Sequence, residues 1–197
     1  MDPQIIKPII EGILLVADGP VSVRDLVKVF DGDIGADDLR AALDGLVADY
    51  RDRSFQVIEI ADGYRFATKQ EHAGWVKRFL KIERRVTLSR PALETLSIVA
   101  YKQPITKAEI EAIRGVDASA VLRRLLDRGL IKIIGRKKVV GRPLLYGSTQ
   151  RFLEYFGLRQ ISDLPPLEQI LEETGEEVDD ATLTLLQDEG SPDLKTE

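Results

Sequence analysis

An internal duplication constrains the fold of this chain more than any other feature of its sequence. Segments of the first half recur in the same order in the second half, at offsets of 83 or 84 residues: Ile10–Ala17 with Leu93–Ala100, Pro20–Leu26 with Pro104–Ile110, and Leu39–Asp44 with Leu122–Asp127. A constant offset over several matches is the signature of a repeated structural unit. The sequence therefore predicts two tandem domains of the same fold.

The second copy shows where its elements begin and end. Ser89 is a good N-cap, Thr106 and Glu109 have the spacing of a capping box, and Gly115 suits the left-handed residue after a helix. The apolar periodicity predicts helices before Pro104, through Ile110 and through Leu122–Leu126, followed by strands at Leu130–Ile134 and Leu144–Tyr146.

The first copy follows the same order of elements. Helices are predicted near residues 7–17, 23–30 and 37–50, then a hairpin of Phe55–Ile60 and Tyr64–Thr68, then a helix near 71–80. Pro8 predicts that the first helix begins near that residue, because a deeper proline would break it. Three helices followed by a hairpin are the elements of a winged helix, an elaborated helix-turn-helix. The predicted class is α+β, mostly helical, with two tandem winged-helix domains and a disordered acidic C-terminal tail.

The charge distribution supports these boundaries. Residues 1–80 carry a net charge of −4, residues 81–160 carry +10 and residues 161–197 carry −11. We predict an N-terminal domain over 1–80, a linker over 81–87, a C-terminal domain over 88–167 and the acidic tail over 168–197. A basic domain beside acidic segments indicates an interaction surface.

Few enzymatic chemistries are open to this chain. It has no cysteine, and His72 is its single histidine. Thiol catalysis, cysteine-based zinc sites and disulfides are thereby excluded. No nucleophile elbow or P-loop is present. We therefore expect no catalytic, cofactor or metal site, and the absence of a signal peptide predicts a cytoplasmic protein.

Motifs across residues 88–167 resemble those of one known family. They are Leu93–Leu96 through Ala100–Thr106, Ile113–Val116, Leu122–Gly129, Gly141–Gly147, Phe152–Leu158 and Asp163–Leu167. They are similar to those of the segregation and condensation protein B family, and residues 7–80 resemble it more loosely. The resemblance implies a non-enzymatic homodimeric adaptor that dimerises through its first domain. It also implies binding to the kleisin subunit, segregation and condensation protein A, and through it to the SMC ATPase that acts in chromosome partition and cell division. That role would place the protein at the nucleoid, with DNA contacted only indirectly or weakly.

The second domain offers two kinds of candidate contact. For the kleisin, we select exposed or half-exposed candidates: Tyr101, Arg136, Arg142, Tyr146 and Phe156. For the phosphates of DNA, we select cations of the third helix and the hairpin loop: Arg123, Arg124, Lys137 and Lys138. The alternative function is a DNA-binding transcriptional regulator that uses this basic domain. The corresponding helix of the first domain carries Asp37, Asp38 and Asp44, which would repel DNA.

The apolar stripe of the first helix is larger than one short helix needs for core packing. Its candidates for a dimer interface are Ile6, Ile9, Ile10 and Ile13. Packing within the domain core is the other reading of the same stripe.

Overall fold

The computed structural model describes residues 3–81 and 88–166. The predicted linker beyond Lys81 and the predicted acidic tail of residues 168–197 lie outside the described residues. The chain divides into two compact units, of which the first runs to Leu88 and also includes Gln150–Asp163. The second comprises Ser89–Thr149 and the chain from Leu164 onward.

The segment Gln150–Asp163 joins the first unit through the turn of that unit's hairpin. The backbone N–H groups of Ala61 and Asp62 donate to the carbonyls of Leu158 and Arg159 at 2.9 and 2.7 Å. The predicted boundaries placed this segment in the second domain. Hydrogen bonds between residues almost a hundred positions apart decide its place, and no local sequence pattern encodes them.

The first unit follows the predicted order of elements. Its elements through residue 79 are α1 (Pro3–Val16), α2 (Val23–Val29), α3 (Ala36–Asp49), β1 (Phe55–Ile60), β2 (Gly63–Thr68), a 3₁₀ turn (Gln70–His72) and α4 (Ala73–Phe79). β1 and β2 form an antiparallel hairpin in which Phe55 pairs with Thr68 and Ile60 with Gly63. Ser22 caps α2 by accepting the backbone N–H of Asp25 at 3.1 Å.

The core of the first unit lies between the helices and the hairpin. Ile10, Leu26, Leu39 and Leu43 are completely buried there. Val21 exchanges two backbone hydrogen bonds with Tyr64, of 2.8 and 2.9 Å. A side chain on the adjacent Gly63 would lie 2.9 Å from the Val21 backbone, so the close approach requires glycine here.

The predicted start of the first helix is wrong. α1 begins at Pro3, and Pro8 lies inside it. A proline at this position removes one helical hydrogen bond, the one its own N–H would donate four residues back. The buried apolar face of α1 keeps the helix continuous despite that loss.

The second unit contains the elements α5 (Arg90–Lys102), β3 (Ile105–Thr106), α6 (Lys107–Arg114), α7 (Ser119–Asp127), β4 (Ile131–Arg136) and β5 (Leu144–Ser148). The predicted capping box is confirmed, because Thr106 and Glu109 exchange hydrogen bonds at the start of α6. Gly115 ends α6 in the left-handed conformation at φ +69°. Buried Leu96, Val99, Ile110 and Leu125 form the centre of its core.

The short strand β3 was not predicted. It adds to β5 and gives a sheet of order β3-β5-β4 in the described part of the chain. Two residues are too few to show an alternation of apolar and polar positions, so only the tertiary structure reveals this strand pairing. After β5, α8 (Gln150–Phe156) and a 3₁₀ turn (Ile161–Asp163) complete the described chain in the first unit. The chain is thus mixed α/β with helix predominating, as predicted.

Candidate partner-binding surfaces

The β4–β5 hairpin of the second unit exposes one edge of its sheet. β4 is buried only at Ile131, and its remaining residues are exposed through Arg136. The register pairs Ile133 with Tyr146 and Gly135 with Leu145, which leaves Ile134 in a bulge. Because β4 is an outer strand, its free N–H and C=O groups are available to an added strand.

Short runs of apolar and of cationic side chains follow one another along this hairpin. Ile133 and Val139 are each 49% exposed, Ile134 is 46% exposed and Val140 is fully exposed. We call these four residues, with the exposed cations Lys132, Arg136, Lys138 and Arg142 between them, the hairpin surface. Sequence reasoning missed its apolar members. The signal was the adjacent pair Ile133-Ile134, because neighbouring strand residues face opposite sides and both isoleucines cannot enter one core.

The tip of the hairpin has a defined conformation. Lys137 N–H donates to the carbonyl of Pro143, and Arg142 N–H donates to that of Val139, each at 2.9 Å. The Arg136 guanidinium donates to the Arg142 carbonyl at 3.1 Å. The reversal places Gly141 and Arg142 at φ +84° and +42°, in the left-handed region. The hairpin surface is therefore built on an ordered turn.

An ion pair ties this tip to α6. Lys137 Nζ lies 2.5 Å from Glu109 Oε1, and Glu109 Oε2 accepts the backbone N–H of Thr106 at 2.8 Å. Burial acts to raise the pKa of Glu109, but the hydrogen bonds from Lys137 and Thr106 outweigh it and hold the pKa below its ordinary value. Glu109 thus caps a helix and holds the hairpin at the same time.

The other predicted phosphate contacts remain free. Arg123, Arg124 and Lys138 are exposed, and none forms an ion pair within the described residues. Lys137 differs, since Glu109 already compensates its charge. The structure therefore separates Lys137 from the other three candidates.

The predicted kleisin contacts lie in different environments. Arg136 and Arg142 are exposed on the hairpin surface. Tyr101 is half-buried, burial raises its pKa, and its hydroxyl donates to the Pro165 carbonyl at 2.7 Å. Tyr146 is only 8% exposed, so its ring is core rather than contact surface. Phe156 is exposed, but it lies on α8 and so belongs to the first unit.

The predicted dimer contacts on α1 divide between two faces. Ile6 and Ile10 are 3% and 0% exposed in the core, so they have almost no surface left to offer a partner. Ile13 packs against the same core, and Ile9 is 39% exposed.

A second apolar face of α1 was not predicted. Ile5, Ile9 and Val16 are exposed together with Gly12, at spacings of four, three and four residues. That spacing places them along one side of a helix. We call Ile5, Ile9, Gly12 and Val16 the α1 stripe.

Residues 3–81 and 88–166 offer no metal-binding cluster and no membrane-spanning helix. These residues contain no cluster of three or more histidine or acidic side chains placed to hold a metal. None of their helices combines the length and apolar character needed to cross a bilayer.

Comparisons with known proteins agree with the motifs of the second unit. The sequence model of "Segregation and condensation complex subunit ScpB" matches residues 8–167. Segregation and condensation protein B of Syntrophotalea carbinolica is 47% identical over 180 residues, which cover 89% of each chain. That of Moorella thermoacetica is 45% identical over 168 residues, which cover 84% of each chain.

Solved structures include similar chains. ScpB from Mycobacterium tuberculosis is 34% identical, with 80% of this chain and 98% of that chain covered, at a TM-score of 0.38. A dimer of a ScpB N-terminal domain complexed with a ScpA peptide is 26% identical, with 39% of this chain and 95% of that chain covered, at a TM-score of 0.35.

The extent of the family match defines the class of protein. A match over most of the chain identifies a chromosome segregation and condensation protein. Within that class, the chain belongs to the ScpB family of segregation and condensation complex subunits.

Proposed function

We propose that the chain is a non-enzymatic, dimeric adaptor of an SMC–kleisin complex that acts in chromosome condensation and partition. Each compact unit is a winged helix, with β1–β2 and β4–β5 as the wings. The first unit dimerises, and the second binds the kleisin subunit, segregation and condensation protein A. The SMC ATPase is reached through the kleisin, in the cytoplasm at the nucleoid.

The hairpin surface is the observation that supports a kleisin-binding site in the second unit. It combines an outer strand that has free backbone groups with half-exposed isoleucines, and exposed cations lie between them. An extended segment can add to such an edge through main-chain hydrogen bonds, while alternate side chains contact the exposed residues. We therefore propose that the kleisin presents an extended segment with apolar anchors and acidic residues.

Affinity for such a segment comes from the apolar anchors. Burial of apolar surface stabilises the complex by ~25 cal/mol per Å². The entropy cost of ordering the segment is subtracted from that gain. Arg136 and Arg142 supply charge complementarity at the rim, with Tyr101 as a further candidate in the same unit. Phe156 remains a candidate that belongs to the first unit.

The test is a titration of the full chain with a kleisin fragment. Val140 is fully exposed and Ile133 is 49% exposed, so Ile133→Ser with Val140→Ser removes apolar contact while disturbing the core little. We expect the Kd to rise at least tenfold, the effect of ~1.4 kcal/mol. The control is Val29→Ser on α2, which removes a 57% exposed valine from the first unit. Unchanged kleisin affinity in the double variant would exclude the hairpin surface.

The charge of the second unit favours one other function. Residues 89–149 contain 12 basic and 5 acidic side chains, which suits a DNA-binding transcriptional regulator. Sub-micromolar, sequence-selective binding to duplex DNA at physiological salt, without kleisin binding, would establish the regulator and exclude the adaptor.

A further inference from the structure

Residues 89–149 of the second unit contain more cations than the acidic residues of the same segment can balance. Glu94 pairs with Arg90 and Arg114, Glu109 pairs with Lys137, and both Glu111 and Asp117 pair with Lys107. Seven exposed cations of α7, the turn after it and the hairpin form no ion pair within the described chain: Arg123, Arg124, Arg128, Lys132, Arg136, Lys138 and Arg142. Asp127 is the remaining acidic residue of residues 89–149, and it forms no ion pair within the described chain.

Four of these cations follow one another along a continuous piece of structure. Arg124 and Arg128 are one helical turn apart, which places their Cβ atoms ~6 Å from each other. A tight turn at Gly129 then leads into β4, with Leu130 N–H donating to the Leu125 carbonyl at 3.0 Å. Lys132 is exposed at the start of β4. We call Arg123, Arg124, Arg128 and Lys132 the α7 cations.

The duplicated first unit provides an internal comparison. Its α3 corresponds to α7, but it carries Asp37, Asp38 and Asp44, and its Arg40 pairs with Asp37 at 3.1 Å. The helix position therefore does not require cations for folding. At this helix position, unpaired arginines occur in the second unit and not in the first.

The chemistry of the α7 surface favours a polyanion over a peptide. The exposed residues of α7 are Ser119, Ala120, Arg123, Arg124 and Asp127, with Arg128 following directly. No large apolar residue is exposed on α7. A peptide partner needs apolar anchors. The phosphates of duplex DNA, one per ~1.7 Å of helix axis, attract cations without any apolar contact.

We infer that the α7 cations contact the phosphate backbone of duplex DNA directly, without reading its base sequence. This contact lies beyond the proposed kleisin binding, which uses the apolar side chains of the hairpin surface. It would hold DNA weakly beside an adaptor, and it would weaken steeply as salt rises.

The test is fluorescence anisotropy of the full chain with two unrelated 30-base-pair duplexes, at 50 to 200 mM salt. Arg123→Ala with Arg124→Ala removes two proposed phosphate contacts. Each lost contact lowers the slope of log K against log salt by about 0.9. For one bound copy, the affinity ratio of wild type to variant should therefore be about twelvefold larger at 50 mM than at 200 mM.

The matched control is Arg24→Ala with Arg51→Ala, which removes the same charge from exposed, unpaired positions of the first unit. It should leave the salt slope within about 0.5 of wild type. Three results would overturn the inference: no binding at 50 mM salt, equal slope changes in the two double variants, or a preference above tenfold for one duplex. Equal competition by poly-glutamate, charge for charge, would also overturn it, because the surface would then bind any acidic chain.

Discussion

Replacing Ile9 with alanine tests whether the α1 stripe forms the dimer interface. Ile9 is 39% exposed on one side of α1, whereas Ile6 and Ile10 lie in the core on an adjacent side. A helix that is apolar on both faces needs a second partner to cover the face turned away from the core. In a dimer with twofold symmetry, the same residue of both copies lies in the interface.

The magnitude follows from the exposure of Ile9. Isoleucine to alanine removes three side-chain carbons, each worth ~0.8 kcal/mol on full burial. Ile9 is 39% exposed in one copy, so its burial at the interface contributes about 1 kcal/mol per copy. Two copies give about 2 kcal/mol, which raises the dimer Kd about thirtyfold.

Sedimentation equilibrium over a dilution series measures this dimer Kd. Val29→Ala, on a 57% exposed valine outside α1, should leave it unchanged. Val16→Ala is a second test that spares the core, because Val16 is 79% exposed, and it should weaken the dimer at least tenfold. A dimer Kd within twofold of wild type in both α1 variants would refute the reasoning.

Further predictions concern α6, the hairpin and the acidic tail. Thr106→Ala removes the capping box of α6 and should lower the free energy of unfolding by ~1 kcal/mol in urea titrations; a change below ~0.3 kcal/mol would contradict the cap's role. The pKa of Glu109 is lower in the folded chain than its ordinary value, so its stabilising effect is complete above about pH 4.3. That effect is lost as the pH falls through the lower, folded-state pKa, so Glu109→Gln should destabilise more at neutral pH than in acid, as thermal unfolding would show. Deleting residues 172–197, with ten acidic residues and one basic residue, should raise affinity for duplex DNA at low salt; equal affinities would exclude a competing tail.

Local signals predicted most of the elements. The strand Phe55–Ile60, the capping box at Thr106 and the left-handed Gly115 lie where the sequence placed them. Each depends on residues within about one turn of one another, so the pattern is visible in a short window of sequence.

The candidate contacts were harder to predict, because exposure depends on residues far away in the chain. Tyr146 and Ile10 belong to apolar runs, and only packing against other elements shows that they are buried. The same packing leaves Ile133 and Ile9 partly exposed. Lys137 is paired with Glu109, which lies 28 residues earlier in the chain. No charge pattern near Lys137 predicts this ion pair.

The sequence by itself determined the duplicated order of the elements, the basic character of residues 81–160 and the family to which the chain belongs. Periodicity and caps involve residues close together in the chain, and repeats appear when the sequence is compared with itself, so none of them requires knowledge of the neighbours in space. The tertiary structure alone decided which face of α1 enters the core, that β3 joins the sheet and which cations remain unpaired. These are long-range outcomes, because burial and ion pairing are shared between elements that the chain brings together only on folding.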